Sequence, residues 1–110
     1  MAYDEALADR IRDVLAGEPV VEKKMFGGLA FLLGGTMSVA ASGSGGLMVR
    51  IDPADTERLL AEPGAEEFDM GGRGPMKGWL QVSGGSLQDD ATLAAWVERG
   101  VGYARSLPAK

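Results

Sequence analysis

Four basic side chains are the residues of this sequence best placed to do chemistry together. Arg73 and Lys77 lie in the glycine-rich segment 71–78, and Lys24 and Arg50 lie on predicted strands that can approach it. Backbone N–H groups of glycine-rich turns, combined with guanidinium and ammonium groups, can form an anion pocket. The segment matches neither the P-loop spacing nor G-x-G-x-x-G, so it indicates no class of nucleotide. Two interpretations stay open: a small-anion or ligand site, and the more ordinary one of surface ion pairs with neighbouring carboxylates.

Paired carboxylates are the second group that could carry chemistry, since two neighbouring acids can act as general acid and general base. Glu66 and Glu67 are adjacent on a predicted strand, where successive side chains point to opposite faces, so they cannot share one substrate. Asp89 and Asp90 precede a predicted helix and are better explained as its N-terminal cap. We assign no catalytic residue.

Metal and thiol chemistry are limited by composition. The sequence contains no histidine and no cysteine, which removes the usual metal ligands, the usual general base and every thiolate nucleophile. Its carboxylates do not follow the spacing of an EF-hand loop. We therefore expect no metal site, no cofactor and no enzymatic activity.

Large apolar side chains supply the remaining functional candidates. Met25, Phe31 and Trp96 are expected to fill the core. Met48 and Trp79 differ, because both alternate away from the predicted core side of their strands. If helices cover only one face of the sheet, these two side chains are left exposed, and an exposed patch of aromatic residues and methionine is typical of a protein interface. We predict an interface at Met48 and Trp79.

Length and charge restrict the class of protein. With 110 residues, 45% of them hydrophobic and 25% charged, the sequence fits one soluble globular domain covering residues 1–110. Its net charge of -5 disfavours direct binding to nucleic acid or to anionic membranes. The N-terminus has no signal-peptide pattern, and no apolar run approaches the length of a membrane span. A cytoplasmic location is the simplest expectation.

The hydrophobic pattern of the first half predicts a helix followed by a meander of three strands. Apolar residues at helical spacing indicate a helix over residues 4–16. The segment Lys23–Leu33 is predicted to form one central strand with a glycine bulge inside it. Gly34-Gly35 then indicates a hairpin into the second strand. Strict alternation in that strand would place Met37 on the same face as Val39.

The second half predicts two more strands between two helices. Asp52 and Pro53 open a short helix, and strands follow around residues 67–70 and 79–82. In the long final helix, Gly100 and Gly102 are unfavourable unless the helix approaches the sheet closely. The order is α-β-β-β-α-β-β-α. It predicts an α+β, two-layer sandwich: a mainly antiparallel five-stranded sheet with helices on one face.

Several short motifs occur together in an order typical of one family. They are KMFGG at Lys24–Gly28, the glycine-methionine turn at Gly35–Met37, Arg50 on the third strand, and Arg73 followed by MKGW at Met76–Trp79. With the closing helix ending in ARSLP, they extend over nearly the whole sequence. In these features the sequence resembles the TfoX N-terminal domain family.

The resemblance implies a fold and a role. The family's N-terminal domain is similar to type III secretion chaperones, an α+β sandwich that tends to form a homodimer. Its better-known members regulate natural competence together with a cyclic-AMP receptor protein, and they carry a further C-terminal helical domain. We therefore expect a non-enzymatic protein-interaction or regulatory domain, homodimeric, with a transcription regulator as a possible protein partner. The alternative is a small-anion or ligand sensor that uses Arg50, Arg73 and Lys77.

Overall fold

The fold is an antiparallel sheet with helices packed on it. The computed structural model describes residues 4–25, 28–43, 45–69 and 75–107, and at residues 25, 68–69 and 75–77 it describes the backbone. The helices are α1 (Glu5–Val14), α2 (Thr56–Leu60) and α3 (Asp90–Ser106), with 3₁₀ turns at Pro53–Asp55 and Gly84–Leu87. The strands are β1 (Val20–Met25), β2 (Gly28–Leu33), β3 (Thr36–Ala41), β4 (Leu47–Arg50), β5 (Ala65–Asp69) and β6 (Pro75–Val82). This order confirms the predicted α+β class.

One sheet contains all six strands, in the order β1-β2-β3-β4-β6-β5. The prediction of five strands was wrong by one, because the segment predicted as a single central strand is a hairpin. Met25 pairs with Gly28 in antiparallel register, so the chain reverses between them. A Cβ atom at Gly28 would lie 2.1 Å from the carbonyl oxygen of Ala41. Glycine at this position therefore allows close contact with β3 and does not mark a bulge within a strand.

A bulge occurs instead at Ser38 in β3. Phe31 pairs with Val39 and Leu32 pairs with Met37, which leaves Ser38 as the extra residue. Its hydroxyl donates a hydrogen bond of 2.9 Å to the carbonyl oxygen of Phe31. The extra residue inverts the alternation, so the prediction that Met37 shares a face with Val39 was wrong.

The main core lies between one face of this sheet and the helices. Phe31, Val49 and Leu80 point into it from three strands, and Ile11 and Trp96 point into it from α1 and α3. All five side chains are almost completely buried. The buried residues of α2 and of the second 3₁₀ turn belong to the same core, so the helices cover one face, as predicted.

The long helix α3 packs against β3 at Gly100. A Cβ atom there would lie 2.5 Å from the carbonyl oxygen of Ser38 and 2.7 Å from Cγ1 of Val39, distances too short for any side chain. Gly102 is different, because a Cβ atom at that position would meet nothing within 4 Å. Close approach to the sheet therefore explains Gly100 and does not explain Gly102.

Acidic side chains begin the helices by accepting hydrogen bonds from free backbone N–H groups. Asp4 accepts from Ala6 at 2.9 Å, and Asp89 accepts from Thr92 at 3.1 Å. Asp52 does the same for the 3₁₀ turn that leads into α2. The predicted caps at Asp52 and Asp89 are confirmed.

An ion pair joins α1 to the edge strand β1. The Arg12 guanidinium donates to both carboxylate oxygens of Glu22, at 2.7 and 2.8 Å. These hydrogen bonds hold the pKa of the Glu22 carboxyl below its ordinary value, and they raise the pKa of Arg12. The bidentate geometry makes this a directional contact between α1 and the edge of the sheet.

The two glycines of α3 give a matched pair of substitutions. We expect Gly100→Ala to lower the free energy of unfolding by about 1–3 kcal/mol, since the added methyl group overlaps the β3 backbone. Gly102→Ala should raise it by up to about 1 kcal/mol, because alanine is the better helix former and the space is open. Urea unfolding of both variants checks this, and equal effects would contradict the packing at Gly100.

The ion pair of Glu22 predicts a dependence on pH. Its stabilising effect is present above the unfolded-state pKa of about 4.3 and is lost as the pH falls through the lower pKa of the folded state. The urea midpoint of Glu22→Gln should therefore lie below that of the unchanged protein at neutral pH and converge with it in acid. Glu98→Gln, at an exposed position of α3, is the control and should follow the unchanged protein throughout. A gap for Glu22→Gln that stays constant with pH would exclude this charge effect.

Candidate functional site

The structure does not bring all the predicted basic residues together. Lys24 pairs with Leu29, whose side chain is in the main core, whereas Arg50 pairs with Trp79 on the opposite face. Strands β2 and β3 lie between β1 and β4. At the usual strand spacing, β1 and β4 are therefore about 14 Å apart. Convergence of Lys24 with Arg50 is therefore excluded by the register. Arg73 and the side chain of Lys77 lie outside the described residues, so their part in an anion site stays a prediction.

Arg50 lies between two aromatic rings at the end of β4. Its Cζ atom is 5.5 Å from the ring centroid of Trp79 and 5.8 Å from that of Tyr103 on α3. Both distances fit a cation–π interaction. Among the described residues, no carboxylate oxygen lies within 4.0 Å of the Arg50 guanidinium nitrogens. The guanidinium therefore connects the second face of the sheet to α3 through π systems.

A smaller apolar cluster covers the face of the sheet opposite the main core. This second-face cluster consists of buried Ala30, Ala40 and Met48, with Leu32, Met37 and Trp79 partly buried around them. All six residues are on strands, and the buried residues of the helices belong to the main core.

The expectation that Met48 and Trp79 are both left exposed was wrong. Met48 is 5% exposed, and Trp79 is half-buried. The neighbours of Met48 in the cluster include Ala30 and Ala40, whose short side chains leave room for a long flexible one to lie along the sheet. The role of Met48 and Trp79 as an interface stays a prediction. Trp79 is the more accessible of the two.

Val21 extends the second-face cluster to the edge of the sheet. It lies on β1, pairs with Leu32 and is 65% exposed, which is unusual for a β-branched residue. Val21 was not among the residues predicted to have a functional role. The signal was the doubled valine VVEK, in which Val20 packs against the main core and the next residue must face the other way.

A cleft of about 260 Å³ opens between α2 and α3. Asp55, Arg58 and Leu59 line it on one side, and Arg99 and Tyr103 line it on the other. It contains charges of both signs beside apolar surface. No sequence motif indicated this cleft, because its two walls are some forty residues apart in the chain and each wall reads as an ordinary amphipathic helix.

A second cleft, of about 290 Å³, lies between α1 and α3. Its arginine, Arg10, donates a hydrogen bond of 2.9 Å to Asp90 and one of 3.3 Å to the carbonyl oxygen of Gln88. Arg10 and Asp90 of this cleft therefore join α1 to the start of α3.

Two further classes of site were tested on the part of the chain that the structure describes. Within it, no group of three or more acidic side chains is close enough together to hold a metal ion. Among the same residues, no helix has the length and apolar character needed to cross a membrane.

The contact of Arg50 with two rings predicts a measurable contribution to stability. Arg50→Met should lower the free energy of unfolding by about 0.5–2 kcal/mol, since it keeps an unbranched apolar stem and removes the cation. Arg58→Met is the control, because Arg58 is mostly exposed and should change stability by less than about 0.5 kcal/mol. Urea unfolding measures both, and equal losses would show that Arg50 does no more than cover apolar surface.

Comparison with known proteins gave a match to a family model. Residues 13–104 match the TfoX N-terminal domain. The matched range contains all six strands and most of α3. Searches of the curated proteins and of the solved structures each gave no match. Since the match extends over most of its length, the chain belongs to the TfoX N-terminal domain family.

Proposed function

We propose that this chain is a non-enzymatic regulatory domain that forms a homodimer through the second face of its sheet. The observation that carries the proposal is the second-face cluster, an apolar surface that, among the residues the structure describes, no buried helix residue reaches. A sheet face that lacks a helix layer and presents apolar side chains is typical of a surface that another molecule covers.

The accessible part of this surface has the composition of an interface. Val21 is exposed, while Leu32, Met37 and Trp79 are each partly exposed around the buried methionine and alanines. Tryptophan and methionine are enriched at interfaces, and tryptophan most often contributes a large share of the binding free energy. Arg50 holds the Trp79 ring from one side, so the ring loses little conformational freedom on binding.

A second copy of the chain is the occupant we favour. An isologous dimer needs one patch that is complementary to itself, and an apolar patch made of aliphatic and aromatic side chains meets that need without charge matching. Each copy has a net charge of -5, so two copies repel each other at long range. Association must therefore come from the apolar contact, and added salt should strengthen it by screening the repulsion.

Family membership supports a role in regulation related to competence, and we propose a transcription regulator as the protein partner. The acidic charge favours action through protein contact over direct contact with nucleic acid. As a second candidate function, a ligand sensor built on Arg50, Arg73 and Lys77 is favoured by the lack of a carboxylate partner for Arg50 among the described residues.

The homodimer predicts a specific effect of charge at Val21. Val21→Lys should shift the protein from dimer to monomer with its thermal stability at low concentration unchanged, because the side chain is 65% exposed on an edge strand. Ala61→Lys is the matched control, since it places the same charge at an exposed position next to α2 and should leave the dimer intact. Sedimentation equilibrium over a range of concentrations measures both.

Two results would contradict the dimer. One is a protein that stays monomeric at high concentration and high salt. The other is a dimer whose dissociation constant is unchanged by both Val21→Lys and Trp79→Ala, which would place the contact on a different surface. In the second case the regulatory role would remain, and the interface would have to be sought elsewhere.

A further inference from the structure

We propose that the cleft between α2 and α3 binds a small zwitterion of the α-amino acid class. The ligand carboxylate would be held by Arg99, and its ammonium group would face Asp52 and Asp55. This site is separate from the second-face cluster and adds ligand sensing to the proposed regulatory role.

The first observation concerns how the arginines are paired. The ion pairs of Arg10 with Asp90 and of Arg12 with Glu22 are hydrogen bonds of 2.9 and 2.7 Å. By contrast, Arg58 lies 3.4 Å from Asp55 and Arg99 lies 3.5 Å from Glu62, and neither pair makes a hydrogen bond. These two loosely paired arginines both line the same cleft. Their N–H donors are therefore available to a ligand.

The second observation is the environment of the Arg99 guanidinium. Its Cζ atom lies 4.6 Å from the ring centroid of Trp96, so the ring supports one face of the cation. Nη1 of Arg99 is buried and has no hydrogen-bond partner among the residues that the structure describes. A buried donor without an acceptor is costly. Arg99 lines the cleft and its contact with Glu62 is long, so we infer that a carboxylate bound in the cleft would accept a hydrogen bond from this guanidinium.

The third observation is Gly102, which lines the cleft on the α3 side. Glycine weakens the interior of a helix relative to alanine. No packing contact requires glycine here, since a Cβ atom would meet nothing within 4 Å. The missing side chain leaves the space beside Arg99 and Tyr103 open to a ligand.

The charges of the cleft indicate the class of ligand. On the α3 side the charge is the cation of Arg99, and on the other side Asp52 and Asp55 supply carboxylates beside the cation of Arg58. Asp52 accepts from the Ala54 N–H with one oxygen and keeps acceptor capacity for a further donor. A simple anion would be repelled by these two acids and a simple cation by the arginines. A zwitterion can pair its carboxylate with an arginine and its ammonium group with an aspartate.

The size and apolar surface of the cleft restrict the ligand further. Its volume of about 260 Å³ is below the roughly 300–1,000 Å³ of sites for drug-sized molecules. Leu59, Ile51 and the Tyr103 ring contribute apolar surface to its lining. An amino acid with an aliphatic side chain fits this combination of size, charge and apolar surface.

The test is a titration of the whole ¹⁵N-labelled protein followed by NMR. The probes are the common protein amino acids and two analogues of leucine. Isocaproate lacks the ammonium group of leucine, and isoamylamine lacks its carboxylate. We expect at least one amino acid at millimolar concentration to shift the backbone amides of Arg99, Gly102 and Ala54. The two analogues should bind at least about tenfold more weakly, since each loses one charged hydrogen-bonded contact.

Two variants separate binding from folding. Gly102→Leu should fill the cleft and abolish the shifts while its thermal stability is at least that of the unchanged protein, because leucine favours the helix. Arg99→Gln should weaken binding at least about tenfold. Arg10→Gln, in the cleft between α1 and α3, is the control and should leave the affinity unchanged.

Three outcomes would overturn the proposal. They are a full panel of amino acids that shifts no amide near the cleft, binding by isocaproate or isoamylamine as strong as binding by leucine, and amino-acid binding that persists unchanged in folded Gly102→Leu. None of these outcomes depends on whether the protein is a dimer.

Discussion

The contact between Gly100 of α3 and the backbone of β3 at Ser38 is the constraint on which the rest of the structure depends. At this point helix and strand approach so closely that a Cβ atom would lie 2.5 Å from the Ser38 carbonyl oxygen. The contact fixes the depth at which α3 lies on the sheet. That depth seals Trp96 in the main core and places Arg99 and Tyr103 at the rim, where they form one wall of the cleft.

The bulge at Ser38 connects this contact to the opposite face of the sheet. By adding one residue to β3, it points Val39 toward α3 and Met37 away from it. A regular strand would have put both side chains on the helix side. The second-face cluster therefore owes Met37, one of its larger members, to the bulge at Ser38, whose carbonyl group also lies against Gly100 of α3.

Much of the fold follows from the sequence, because local signals were sufficient for it. Asp52 and Asp89 were recognisable as caps, Gly34-Gly35 as a hairpin, and Leu80 as a core residue from its alternation. Gly34 and Gly35 both have positive φ, as such a hairpin requires. In each case the physical requirement acts within a few residues, so one stretch of sequence contains it.

The remainder depends on contacts between distant segments. The continuous apolar run after Lys24 did not reveal that the chain reverses before Gly28, since both strands of the hairpin are rich in apolar and β-prone residues. The bulge at Ser38 is not marked by any special residue type. The candidate sites are harder still: Arg50 was singled out as a cation, but its two aromatic neighbours come from β6 and α3, and only the assembled fold brings them together.

The order of strands in the sheet affects how the chain folds during its synthesis. β1 to β4 are neighbours both in sequence and in space, so the first half of the sheet is built from short-range hairpins that can form early. The helix that seals the core follows all six strands in the chain. During synthesis on the ribosome, a nascent meander therefore presents its apolar core face until α3 emerges. This interval is when the protein is most open to aggregation and to capture by chaperones.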